Sequence, residues 1–142
     1  MAQNEFQQII DDFDFLEDWE DRYRYIIDLG KKLEPLDSFL KNESTKINGC
    51  ASQVWMNFEL IGTEEAKIIE LKGESDALIV KGLIAILISL YSGTKIKEAA
   101  TIDALAEFNR LGLNEHLSSQ RSNGLRAMLD RISSIIQGHP NQ

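Results

Sequence analysis

The spacing of apolar residues changes twice along the chain, and this change constrains the fold most strongly. Near the N-terminus, apolar residues recur every three or four positions, as on one face of a helix. In residues 53–61 they alternate with polar residues, as in a half-buried strand. The alternating apolar residues are Val54, Met56, Phe58 and Leu60. Helical spacing then returns, so the sequence predicts an α+β fold with helices packed on one face of a small sheet.

Five segments carry the helical spacing, and their ends have candidate capping residues. The segments are residues 6–13, 18–33, 77–91 and 101–110, and the stripe from Leu125 to Ile136. Ser75 and Asp76 are predicted to cap the third helix, and Thr101 the fourth. Gly112 is predicted to end the fourth helix. A strand at residues 78–80 is a competing interpretation.

The sheet is predicted to contain about three antiparallel strands. Residues 53–61 and 66–73 read as two strands joined by a short turn at residues 62–65, which favours a hairpin. Residues 45–48 are a candidate third strand. Trp55 shares a strand face with polar residues, so it is expected either to cover one end of the sheet or to shield the nearby cysteine.

Composition predicts one soluble, cytoplasmic domain over residues 1–142. The net charge of −8 and the sequence pI near 4.7 argue against capture of nucleic acid or an anionic membrane, because both need a basic surface. The longest apolar run without a charged residue, residues 82–93, is shorter than the roughly 20 residues that a membrane-spanning helix needs. No phosphate-binding glycine loop, hydrolase triad or His-based metal site is recognisable.

Cys50 is the first candidate for chemistry. A single cysteine excludes an intrachain disulfide and a cysteine-rich metal site. It follows the turn dipeptide Asn48-Gly49, a position that can present a thiol to a partner. The alternative is a small buried hydrophobic residue. Arg121, near the start of the last helix, is expected either to stabilise a thiolate or to dock on an acidic partner; the alternative is a solvated arginine.

Three ordered sequence blocks resemble the SufE-like sulfur acceptors, the cysteine desulfuration proteins of Fe–S cluster assembly. The first runs from Gly49 to Trp55 and contains the cysteine. The second spans residues 73–83, and the third spans residues 116–125. The resemblance covers nearly the whole chain. It implies an α+β sandwich similar to the IscU-type scaffolds.

The resemblance also implies a specific activity. Cys50 would accept sulfur from the persulfide of a pyridoxal-phosphate cysteine desulfurase, stimulate that enzyme, and pass the sulfur to a SufB-like cluster scaffold. The partner can be SufS-like or CsdA-like, because the paralogous CsdE-type acceptors share these motifs. No cofactor or metal is expected on this chain, which would be a monomer or homodimer. The expected supporting or docking residues are Arg121, Gly49, Ser52, Gln53, Asp76 and Lys81.

Two other functions remain to be weighed against sulfur transfer. One is a regulatory module that binds a desulfurase and whose cysteine is inert. The other is a scaffold that holds a cluster itself, which is disfavoured because cluster ligation usually takes four thiolates.

A persulfide on Cys50 that was exposed to solvent would be reduced by other thiols or oxidised. We therefore expect a loop at residues 46–53 that shelters Cys50 in the free protein and swings out on docking.

Overall fold

A computed structural model describes residues 2–63 and 66–138. Its α-helices are α1 (Ala2–Phe15), α2 (Trp19–Lys31), α3 (Leu78–Tyr91), α4 (Ile96–Ala99), α5 (Ala104–Arg110) and α6 (Ser119–Gly138). The strands are β1 (Val54–Ile61) and β2 (Ile68–Ser75), and single 3-10 turns lie at Ser38–Leu40 and Leu113–Glu115. The predicted α+β class is confirmed. No helix in the described ranges is long and apolar enough to cross a bilayer.

The sheet is one antiparallel hairpin, with Val54 opposite Ser75 and Ile61 opposite Ile68. Gly62 and Thr63, the described part of the predicted turn, follow the end of β1, whereas residues 64–65 lie outside the described residues. The predicted third strand is not a full strand, because residues 45–48 make only a single bridge to β1 at Lys46. The described sheet therefore has two strands and a short bridged segment beside β1.

Neither predicted helix cap is the capping residue itself: the Ser75 hydroxyl accepts from the N–H of Ala77 just before α3, whereas the Asp76 and Thr101 side chains bond elsewhere. The α3 cap is Ala77, without a side-chain bond, whereas the Asp76 carboxylate accepts from the backbone N–H of Gln53. The α5 cap is Asp103, and the Thr101 hydroxyl donates instead to a carbonyl in the turn before it. The alternative strand at residues 78–80 is also wrong, since these residues begin α3. Gly112 follows α5 with a φ of 78°, which confirms the predicted helix end.

α3 forms the centre of the molecule, and glycines let α2 approach it closely. Leu83, Ile84, Ile86 and Leu87 of α3 are completely buried, as expected for a helix that is apolar nearly all round. A Cβ on Gly30 of α2 would lie 2.6 Å from the backbone nitrogen of Gly82 in α3. A Cβ on Gly82 would collide with the backbone of Ile26. The two helices therefore pack backbone against backbone.

Candidate functional site

The cysteine lies in a loop whose base is closed by hydrogen bonds to β1. The Ile47 N–H donates to the Val54 carbonyl at 2.8 Å, which leaves residues 48–53 as the loop. Gly49 has a φ of 92°, a conformation that other residues rarely adopt, so glycine is suited to the position before Cys50. The Asp76 carboxylate bonds the Gln53 N–H at 3.0 Å and ties down the far end of the loop. These bonds fix both ends of the loop, and its middle lies against α6.

Cys50 packs against the second turn of α6 rather than projecting into solvent. Its Sγ–H donates to the carbonyl oxygen of Gly124 at 3.6 Å. A Cβ on Gly124 would lie 3.5 Å from Sγ, so the absent side chain leaves the space beside the sulfur open. The thiol is half-buried. The loop therefore holds its sulfur inward, against a helix backbone.

A cavity of about 90 Å³ surrounds the thiol. Its apolar wall comes from β1, α3 and α6, through Val54, Val80, Leu83, Leu125 and Met128; its polar lining includes Ser52, Ser118, Gln120 and Arg121. Burial raises the pKa of the Cys50 thiol above its ordinary value, because desolvation disfavours the thiolate. In this position the group is a neutral thiol at neutral pH and a weak nucleophile.

Arg121 brings positive charge to the same cavity. One of its guanidinium nitrogens, Nη1, is buried and has no hydrogen-bond partner among the described residues. Its backbone N–H donates to Ser118 Oγ at 3.2 Å, a bond that fixes the first turn of α6. A buried donor without an acceptor is unfavourable, and an anionic group entering the cavity would relieve that cost. The structure thus brings Cys50 and Arg121 together, although they are distant in sequence.

The other predicted site residues divide into two groups. Ser52 lines the cavity, and Gly49, Gln53 and Asp76 shape the loop that carries Cys50. Lys81 does not line the cavity, because its turn of α3 packs beside Gly30 of α2. The supporting roles of all these residues stay predictions.

Trp55 does not shield the cysteine. It is absent from the cavity lining and lies on the outer face of the sheet. Lys41 Nζ sits 5.5 Å from the centre of its ring and also pairs with Glu74 at 2.9 Å. Of the two interpretations from the sequence, shielding of the cysteine is wrong, and cover of one end of the sheet stays a prediction.

The sequence reading missed two α6 residues that contact the loop. Gly124 meets Cys50, and Arg131 donates to the Ser44 and Lys46 carbonyls just before the loop. Gly124 carried a usable signal, because a glycine inside an apolar helix often marks a close approach. Arg131 carried none, because an arginine on the polar side of a helix is usually solvated.

No group of three or more His, Cys, Asp or Glu side chains within residues 2–63 and 66–138 is placed to hold a metal ion. Among these residues, Cys50 is therefore not part of a cluster of potential metal ligands. The chemistry that this arrangement supports is that of one thiol beside one guanidinium group.

Comparisons with known proteins agree with the resemblance. A family model described as the SufE, Fe–S metabolism associated domain matches residues 7–136. An uncharacterised SufE-like protein of Rhizobium meliloti (strain 1021) is 51% identical over 131 residues, which is 92% of this chain and 94% of that protein. A second such protein, from Rhizobium etli, is 54% identical over 125 residues, which is 88% of this chain and 84% of that protein.

A solved structure supports the fold separately. The solution structure of a hypothetical protein from Thermus thermophilus superposes with a TM-score of 0.76 and covers 100% of both chains, at 18% sequence identity. At that identity the likeness shows the fold alone. The family match across most of the sequence and the two similar proteins show that the chain belongs to the SufE family of Fe–S metabolism associated domains.

Proposed function

We propose that this protein is a sulfur acceptor, in which Cys50 takes one sulfur atom from a cysteine desulfurase and carries it as a persulfide. The observation that carries the proposal is the Cys50 cavity, which a sheltered thiol lines together with Arg121, whose buried Nη1 has no hydrogen-bond partner in the described part of the chain. A persulfide is more acidic than a thiol, so it would supply the anion that this nitrogen lacks. Membership of the SufE family supports the same activity.

The transfer itself is a displacement at sulfur. The Cys50 thiolate attacks the terminal sulfur of the donor's persulfide, a new S–S bond forms at Cys50, and the donor's S–S bond breaks to release the donor cysteine as a thiolate. One thiolate and one persulfide stand on each side, so the step is near thermoneutral. Its rate depends on the thiolate fraction, the leaving-group pKa and access to the sulfur.

Because Cys50 is half-buried, the loop has two positions in this mechanism, one that protects the sulfur and one that exposes it for transfer. In the inward position the raised pKa keeps the thiol neutral, and the cavity protects a bound persulfide from solvent thiols. For transfer, residues 48–53 swing outward, which restores a more ordinary thiol pKa and exposes the sulfur. Docking drives this change only if the partner contacts the outward state more favourably than the inward state.

The proposed partners follow from this chemistry. The donor is a pyridoxal-phosphate cysteine desulfurase, SufS-like or CsdA-like, whose turnover the acceptor stimulates by removing its sulfur. The downstream acceptor is a SufB-like cluster scaffold, and the exchange takes place in the cytoplasm. This chain needs no cofactor of its own, because the displacement uses only sulfur atoms of the two proteins.

Mass spectrometry tests the proposal directly. The intact protein is incubated with a desulfurase and cysteine, alkylated, and weighed beside Cys50→Ser treated in the same way. We expect a gain of one sulfur atom on the wild type only, and stimulation of the desulfurase by the wild type only. Full stimulation by Cys50→Ser would instead establish the regulatory module with an inert cysteine.

A further inference from the structure

One face of α6 contacts both the loop that carries Cys50 and the segment that precedes this loop. Gly124, Ala127 and Arg131 are spaced three and four residues apart, which puts them on the same side of the helix. Gly124 meets Cys50, and a Cβ on Gly49 would lie 3.5 Å from the side chain of Ala127. Arg131 comes next along this face, where it meets the stem, which is the segment of residues 44–47 that leads into the loop.

Arg131 makes the polar bonds between this face and the stem. Its Nη1 donates to the Ser44 carbonyl at 3.1 Å, and its Nη2 donates to the Lys46 carbonyl at 2.9 Å. The planar guanidinium group presents these donors in a fixed fork, which specifies direction as well as distance. The same stem bonds β1 through Ile47 and Val54. Arg131 therefore joins α6 to the bridged edge of the sheet.

The surface beside the fork is open, so the polar bonds of Arg131 cross the rim of a groove. A groove of about 320 Å³ lies between the stem and α6, lined by Ile47, Asn48, Ala127 and Arg131, with Asp130 and Ser134 along its helix side. Close packing of apolar side chains does not fill this groove. On its other side the stem is fixed to β1 by the backbone bonds Ile47–Val54 and Thr45–Met56, so the fork sets the spacing between this bridged edge and α6, and with it the distance between Cys50 and Gly124.

We propose that Arg131 is a positioning residue for Cys50: its two hydrogen bonds to the stem hold the loop at the distance from α6 that seats the thiol against Gly124. Arg131 touches no reacting atom and acts through the stem. The proposal rests on the proposed function only for the purpose of the loop, since the seating of the thiol can be measured without sulfur transfer.

The test compares three variants of the full chain in the absence of desulfurase. Arg131→Met removes the fork, Arg131→Lys keeps the charge but not the fork, and Arg126→Met is the matched control. Arg126 lies on the same helix but lines a different groove, with Leu105 and Asn109. The measurement is the rate of Cys50 alkylation by iodoacetamide as a function of pH, together with the unfolding midpoint of each variant.

We expect Arg131→Met to react about fivefold faster than the wild type, the effect of losing roughly one hydrogen bond's net contribution to the inward state. Its alkylation midpoint should move to lower pH, because the thiol spends more time outside the cavity and so escapes the desolvation that raises its pKa there; Arg121, the charged side chain in the cavity lining, does not reverse that rise. Arg131→Lys should fall between it and the wild type, and Arg126→Met should match the wild type.

Equal rates and equal pH midpoints in Arg131→Met, Arg126→Met and the wild type would overturn the proposal. If Arg131→Met does not fold, the comparison rests on Arg131→Lys, whose rate must then exceed that of Arg126→Met. A failure here leaves the persulfide measurement untouched, because that measurement follows mass gained from a desulfurase. Conversely, a chain that gains no sulfur can still show the expected alkylation pattern.

Discussion

Replacing Gly124 with alanine should strengthen the fold and weaken protection of the persulfide. The new methyl group fits, since its carbon would lie 3.5 Å from Sγ and 3.8 Å from Cβ of Cys50, which are ordinary contacts. Alanine is favoured over glycine inside a helix by about 1 kcal/mol. For a chain of this size that gain should raise the melting temperature by about 3 °C.

The same methyl group takes the space that an outer sulfur atom needs. A sulfur–sulfur bond is about 2 Å long, so an outer sulfur directed toward α6 would overlap a methyl group only 3.5 Å from Sγ. Overpacking of this kind costs about 1 kcal/mol or more, which would lower the ratio of sheltered to exposed persulfide about fivefold. Gly124→Ala should therefore raise the melting temperature and at the same time shorten the lifetime of the persulfide.

The assay measures the lifetime of the persulfide. Wild type and Gly124→Ala are loaded by a desulfurase with cysteine, separated from it, exposed to dithiothreitol, and sampled by alkylation and intact mass. The half-life should be about fivefold shorter in the variant, following the lost shelter. Asn123→Ala, an exposed neighbour on α6, is the control and should leave the half-life unchanged. An unchanged half-life in a stabilised Gly124→Ala would refute the reasoning.

The remaining predictions concern the frame around the site. Gly82→Ala should lower the free energy of unfolding in urea by about 3 kcal/mol, since its Cβ would collide with the backbone of Ile26; a loss near zero would show that α2 and α3 separate easily. The hydrogen bond from Lys41 is the main cause that lowers the pKa of Glu74. This pair should contribute stability above the ordinary glutamate pKa, and the contribution should disappear as the pH falls through the lowered value. Lys41→Met should therefore flatten the acid limb of stability measured by urea unfolding, and an unchanged limb would contradict the assignment.

Local patterns predicted the longer helices and both strands, but not the helix caps or the shortest helix. The alternation from Val54 to Leu60 predicted β1, and helical spacing predicted α3 and α6. The cap prediction for α3 was wrong because the Asp76 carboxylate accepts a hydrogen bond from the Gln53 N–H, 23 positions earlier, which no local pattern reveals. The four-residue helix α4 was missed because one turn is too short for a periodic signal.

The site was predicted in part for the same reason. The turn before Cys50 and the ordered sequence blocks singled out Cys50 and Arg121, which the fold brings to one cavity. The contact with Gly124 joins residues 74 positions apart, and the bonds of Arg131 join residues 85 and 87 positions apart. Pairings at such separations depend on how α6 packs across the loop, so a single sequence does not specify them.

The paired base of the loop also sets a tether length for the sulfur. Cys50 lies three positions after Ile47, and a fully extended chain spans at most about 3.6 Å per residue. While Ile47 stays bonded to Val54, the Cα of Cys50 can travel no farther than about 11 Å from that of Ile47. Under the proposed function, a donor must therefore bring its own sulfur within that reach of β1 for as long as the base of the loop stays paired.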